Sequence, residues 1–260
     1  MSTVTTVRRV PRLTRAEFAA TCLHPPTPVI ITDDQSVGAD ARTWTFASMR
    51  ARWGHERVEA AITPGGEWNY QTERHTVSFA EIVDAAMAPS GTGPRISGTQ
   101  MNLQTNIRWA SEGMRVPPFV PPDQVASSNL WLQATGDKTH LHWDAHMGAL
   151  ALIRGEKEIV LFAPSDWASL YPIGSGFGIN WSRVDVFRWD AAQFPRFADA
   201  HPIRLTLRAG EMLFLPATWW HCVHTTDASI GVNYWWKEPD VPLGEVYERL
   251  ISFDALQLRQ

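Results

Sequence analysis

The sequence predicts an all-β core with flanking helices, and three observations predict it. From Leu130 onward, short apolar runs with alternating character follow one another: LWLQAT, THLHWD, ALALIRG, KEIVLFAP, IRLTLRAG, EMLFLPA and SIGVNYWW. Gly, Pro, Asp and Asn separate these runs at short intervals, the punctuation expected of a sandwich or barrel. Helical periodicity is scarce across the same stretch, which disfavours a parallel α/β sheet.

The elements follow in order. Residues 12–23 (RLTRAEFAATCL) read as a helix with Thr14 as N-cap and Phe18 and Cys22 at helical spacing. Pro25, Pro26 and Pro28 stop it, and PVIITDD (28–34) is a β-branched run, hence a strand. Residues 44–53 read as helix, and RVEAAIT (57–63) alternates as a strand does. In SFAEIVDAAM (78–87), Ser78 with Glu81 three positions on forms a capping box at a helix start. The stretch 89–94 (PSGTGP) is a loop. No linker, charge block or repeat divides the chain. One domain over 1–260 is therefore expected: an α/β extension at 1–128, the β core at 129–237, and a C-terminal helix at 238–260. That last segment carries Val246, Tyr247, Leu250 and Ile251 at helical spacing. It could pack on the core or form a homodimer contact.

Composition sets outer bounds. The 260 residues are 44% hydrophobic and 19% charged, with net charge −4, so no global basic field recruits nucleic acid and no stable nucleic-acid partner is expected. Cys22 and Cys222 are too few and too far apart for a disulfide framework or a zinc site, and read as buried free thiols. The first residues lack the apolar core of a signal peptide, and no apolar run reaches the length of a membrane span. The expected setting is cytoplasmic. Most of the thirteen Trp fill core, although Trp also suits the wall of a concave site.

The chemistry concentrates in three places. His142-Trp143-Asp144 lies in a strand run, so alternation turns an imidazole and a carboxylate to one face. Each is costly to bury alone, and a metal ion would relieve both. A second strand run, AGEMLFLPATWWHCVH (209–224), delivers His221 behind Trp219 and Trp220. Two His and one carboxylate make the facial triad of non-haem iron sites, with coordination positions left open. His140, His146 and His224 are nearby alternatives, and a His-rich site could instead hold zinc. In KEIVLFAP, Lys157 shares a face with Ile159 and Leu161. Such a lysine either pairs with an anion or snorkels to water from the strand's start.

With these residues in place the chain resembles the JmjC-type (cupin-8) oxygenases, in particular the small hydroxylase branch that includes the asparaginyl hydroxylase of hypoxia-inducible factor. The matching stretches are THLHWDAHMGALALIRGEKEIVLFAPSD (139–166), LYP (170–172), RVDVFRWDAAQFPRF (183–197), AGEMLFLPATWWHCV (209–223) and GVNYWW (231–236), with weaker similarity in PVII (28–31) and ISGTQMNLQTNI (96–107). The resemblance implies a double-stranded β-helix, a jelly roll with the metal inside. It implies Fe(II) held by His142, Asp144 and His221, with 2-oxoglutarate and O2 as co-substrates. Lys157 would meet the distal carboxylate of 2-oxoglutarate, assisted by Thr139. Asn233 would lie near the co-substrate and Trp131 in the pocket wall. Two positions depart from the pattern: Gly148 replaces a frequent asparagine, and Ser97 stands where many members carry a tyrosine. Thr139 and His142 are also of opposite parity in an ideal strand, so a kink is required for both to face the pocket.

The implied reaction is oxidative decarboxylation of 2-oxoglutarate to succinate and CO2, coupled to hydroxylation of an unactivated C–H bond. A protein or peptide side chain ranks first as substrate, then a small metabolite or natural-product intermediate, then a modified RNA base. A metalloenzyme that does not use 2-oxoglutarate would not need Lys157, and a non-catalytic binding domain would not need an intact triad. The Gly-rich stretch 172–182 and the N-terminal half are expected to shape specificity.

Overall fold

The computed structural model describes residues 6–33, 36–69, 71–89, 91, 94–173 and 180–238. In chain order the elements are β1 (Arg8–Val10), α1 (Arg15–Cys22), β2 (Val29–Ile31), α2 (Ala39–Arg42), α3 (Phe46–Trp53), β3 (Arg57–Pro64), β4 (Glu67–Trp68), β5 (Glu73–Ser78), α4 (Phe79–Met87), β6 (Pro94–Asn102), β7 (Val125–Gln133), β8 (Lys138–Trp143), β9 (Met147–Phe162), β10 (Ile203–Arg208), β11 (Met212–Leu215) and β12 (Trp220–Trp236). The expected C-terminal helix, with its dimer contact, lies outside the described residues apart from Glu238. So does the middle of the 172–182 stretch.

Two long strands make the jelly roll. The first half of β9 pairs with β11 and with the end of β12; its second half pairs with β10 and with the start of β12. Each strand therefore serves two sheets. The larger runs β1-β2-β11-β9-β12-β7-β6-β3-β5, and the smaller runs β10-β9-β12-β8-β4. The turn from one sheet to the other falls at Gly155, whose φ is +80°, opposite register shifts in β12 between Thr225 and Gly231. Bulges and glycine are the usual means of turning such a corner.

Side-chain alternation then builds three apolar layers. Ala149, Ala151, Phe214, Val232, Tyr234 and Trp236 point outward from the large sheet and pack under α1, α3 and α4. The three helices begin where capping places them: Thr14, Thr45 and Ser78 each close a capping box. Leu152, Ile159, Leu161, Leu205 and Leu213 fill the space between the sheets. Leu141, Trp143, Phe162, Trp220 and Cys222 point away from the small sheet and are covered by Trp167, Leu170 and Phe197. Both faces of β9 and β12 are thus buried, which accounts for their near-continuous apolar sequence. Each fully buried large side chain stabilises the fold by about 1.5–3 kcal/mol. Both thiols are free and buried, as expected.

The helix expected at 44–53 starts two residues later, because Trp44 and Thr45 serve as approach and cap. Four strands had no clear signal. The first four residues of β5 are all exposed, so it shows no alternation, and β6 is rich in Ser, Thr and Gly. β1 and β4 are too short to carry a pattern.

Candidate metal centre

The space between the sheets opens into one cavity whose wall holds His142, Asp144, His221, Lys157, Thr139, Asn233 and Trp131, every site residue expected from sequence. β8 and β12 bring the first three together. His142 and His221 are direct cross-strand partners, and their ring centroids lie 4.2 Å apart. Asp144 sits one residue past the end of β8, a small departure from its expected place within the strand. Its carboxylate oxygens stand 3.8 Å from His142 Nε2 and 3.8 Å from His221 Nε2. One ligand atom from each residue lies within 4.8 Å of the other two.

Hydrogen bonds set the tautomers. His142 Nδ1 donates to the His140 carbonyl at 2.8 Å, and His221 Nδ1 donates to the Trp219 carbonyl at 3.1 Å. Both Nε2 lone pairs are left facing the carboxylate, the arrangement in which imidazole ligates a metal. Burial, with the second imidazole close by, holds His142 well below the ordinary histidine range, so it stays neutral. Burial pushes the Asp144 carboxyl up, and Trp235 Nε1 steadies it by donating to Oδ2 at 3.0 Å. Two imidazoles with Nε2 turned inward and a carboxylate form a donor set that suits a divalent ion. Trp181 stacks on the His142 ring at 4.5 Å, and Trp68 meets the same ring edge-on.

A bulge resolves the parity of Thr139. Between the pairs His221↔His142 and Val223↔Thr139, β12 advances two residues and β8 three. The extra residue lets Thr139 and His142 face the same cavity. It also turns His140 away, so that its ring nitrogens meet Glu67 Oε1 at 2.6 Å and the Ser182 carbonyl at 3.0 Å. His140 does not line the cavity, and a regular strand would have put it there.

Further along the same cavity, Lys157 is 1% exposed. Its Nζ donates to Gln133 Oε1 at 2.5 Å and to Thr225 Oγ1 at 3.1 Å. Burial lowers its pKa to about 7, against the opposing pull of Asp137. The snorkelling alternative is therefore wrong for this lysine. Asn233 Oδ1 accepts from Trp131 Nε1 at 2.6 Å, while its buried Nδ2 has no partner among the described residues. Gly148 lines the cavity beside Trp235 and Leu215; a Cβ there would make only ordinary contacts. Ser97 does not line it, and its hydroxyl bonds Thr99 Oγ1 at 2.9 Å.

Residues 15–241 match the family model described as the cupin-like domain. The chain belongs to the cupin-like family. Its relatives include proteins named for the Jumonji C domain. This cupin-like chain is 27% identical to Jumonji C domain-containing protein 5 of Drosophila melanogaster, over 65% of the chain and 45% of that protein. It is 26% identical to the bifunctional peptidase and (3S)-lysyl hydroxylase JMJD7 of Homo sapiens, over 82% of the chain and 78% of that protein. It is 24% identical to tRNA wybutosine-synthesizing protein 5 of Danio rerio, over 77% and 66%. The chain spans about half the length of the first two curated relatives it matches.

Sequence reasoning missed three functional neighbours in this cupin-like chain: Trp235, Gln133 and Thr225. Trp235 and Gln133 share parity with Asn233 and Trp131 on the inner face of the large sheet, a signal that was available. Thr225 is legible only from its pairing with Lys157 across β12 and β9.

Proposed function

We propose that the chain is an Fe(II)- and 2-oxoglutarate-dependent hydroxylase acting on a C–H bond of a protein or peptide side chain, as one domain of the small hydroxylase branch. The observation that carries this reading is that a His-Asp-His donor set and a buried lysine ammonium line one cavity. A metal site alone would not call for the lysine, and a lone anion pocket would not call for the triad. Along β12 the backbone positions of His221 and of Thr225, the partner of Lys157, are four residues apart, roughly 13 Å at strand rise. Side chains reaching inward from both ends leave room for a short dicarboxylate between them.

In this reading His142, Asp144 and His221 hold the iron, and Lys157 and Thr139 hold the distal carboxylate of the oxo acid. Bound iron would supply the activation of O2 that couples oxidative decarboxylation to C–H hydroxylation. The chain's own residues do the rest. The carbonyls of His140 and Trp219 fix both imidazole tautomers, and the Trp235 indole orients the carboxylate. Trp68, Trp131 and Trp181 keep bulk water from the His142 side. The lysyl hydroxylase and the demethylases among the relatives support a protein side chain as substrate.

The test combines metal and product. Protein reconstituted anaerobically should bind one Fe(II) and, given 2-oxoglutarate, a peptide library and air, release succinate and CO2 with a 16 Da gain on one peptide, roughly one oxygen atom as such chemistry requires. His221→Ala should lose the metal and the succinate together. Lys157→Ala should keep the metal and lose turnover at ordinary 2-oxoglutarate concentrations. Undiminished succinate formation by Lys157→Ala would reject the co-substrate assignment.

A further inference from the structure

The distal end of the cavity contains a side chain that neither the metal nor the lysine explains. Gln133, on the inner face of β7, is 3% exposed and lines the cavity. A buried primary amide carries two donors and two acceptor lone pairs, each costly to leave unpaired. Only the oxygen is used: Oε1 accepts from Lys157 Nζ at 2.5 Å. A lysine ammonium has donors only, so this contact fixes which end of the amide faces it. The Nε2 hydrogens have no hydrogen bond among the described residues. Thr139, on the same wall, likewise makes no side-chain hydrogen bond among them. Lys157 keeps one of its three donors beyond Gln133 and Thr225.

The charge balance points the same way. The ammonium is met by two neutral oxygens, and Asp137, the carboxylate whose charge acts on it, is already engaged by Arg95 at 2.8 Å and by the Ala134 amide at 3.0 Å. A buried cation with only neutral direct partners is held ready for an anion. Among the described residues no phenol lines the cavity beside it: Ser97 bonds Thr99 and stands outside the cavity. An acidic side chain at 133 would have neutralised the lysine internally; an amide instead leaves its charge free and adds donors.

We infer that Gln133 is a specificity-determining residue: its carbonyl positions the Lys157 ammonium and its amide NH2 donates to the distal carboxylate of the bound oxo acid. The inference rests on the function proposed above. It makes selection of a dicarboxylic over a monocarboxylic oxo acid a joint property of Lys157, Thr139 and Gln133.

The test compares two ligands in one site. Dissociation constants of 2-oxoglutarate and of 2-oxopentanoate, which ends in a methyl group, are measured without oxygen on protein loaded with Mn(II). Wild type should prefer the dicarboxylate. Gln133→Leu should weaken 2-oxoglutarate by roughly tenfold to a hundredfold, the worth of hydrogen bonds to a charged group, and Gln133→Glu should weaken it further. Neither should move 2-oxopentanoate by more than about threefold, and both should keep wild-type Mn(II) affinity, which reports an intact fold. If wild type prefers the dicarboxylate and both variants retain that preference, Gln133 plays no part and the inference is overturned while the proposed function stands. If wild type binds both acids equally, the lysine anchor itself fails, and the function proposed above fails with it.

Discussion

Lys157 shows what burial does to a single side chain. Its pKa falls from 10.5 to about 7 because the folded protein surrounds the amine with low-polarity walls and only Asp137 opposes. Between those two values the folded chain has shed a proton that the unfolded chain still holds. This group therefore adds stability as pH rises through that window and penalises folding below it. A dicarboxylate needs the charged amine, so its binding follows the opposite course. The dissociation constant of 2-oxoglutarate should be flat below about pH 7 and weaken by about tenfold per unit above it. Lys157→Arg should flatten the profile, since arginine stays charged. Titration calorimetry between pH 6 and 8.5, about the range over which such a lysine changes charge, checks this; a flat wild-type profile would remove the lysine from the anion site. The candidate ligands themselves were legible in the sequence, because His142 and Asp144 at i, i+2 gained weight from a second strand run that ends in His221. Tautomer, orientation and partner were not, since they depend on the carbonyls of His140 and Trp219 and on the indole of Trp235.

At the scale of elements, the corner in β9 decides whether the two sheets can share strands. Gly155 has φ +80°, and a Cβ there would lie 2.3 Å from the Ala228 carbonyl oxygen and 2.7 Å from that of Asp227. Both obstacles are backbone, so neither can swing aside. Gly155→Ala should cost more than about 2 kcal/mol, combining the left-handed penalty with the displacement of β12. Urea unfolding would show it as a lower midpoint at unchanged slope. Gly148→Ala in the same strand should be close to neutral, because its Cβ meets nothing nearer than 3.5 Å. A similar cost for both would mean that the corner does not depend on glycine. The caps of α1 and α4 were readable, since capping boxes are local in sequence, whereas the start of α3 was placed two residues early. The bulge in β8 was not: nothing in THLHWD announces it, and only the demand that Thr139 and His142 face one way required a kink somewhere.

At the scale of the molecule, an ion pair ties the helical layer to the end of the jelly roll. Arg15 of α1 donates to both oxygens of Glu238 at 2.8 and 2.6 Å, and Trp236 Nε1 donates to the same carboxylate at 3.2 Å. The Glu238 side chain is fully buried, whereas that of Arg15 is about a third exposed. Removing the arginine takes the counter-charge from a buried carboxylate; removing the glutamate leaves an arginine that can turn to water. Arg15→Ala should therefore destabilise by about 3 kcal/mol or more, and Glu238→Ala by less. Thermal unfolding of the two variants tests the order, and a reversal would show that the clamp contributes through packing instead. The sequence by itself determined the β-rich class, the caps at Thr14 and Ser78 and the three candidate donor residues, and it left Lys157 between an anion partner and water. Those follow from residue chemistry and from periodicities of two and 3.6, which are local. Only the tertiary structure decided that the donors converge, that Lys157 lies in their cavity, and that Gln133 and Trp235 belong to it. Those outcomes depend on which strands pair and where a strand gains an extra residue, and both are fixed by contacts between residues far apart in the chain.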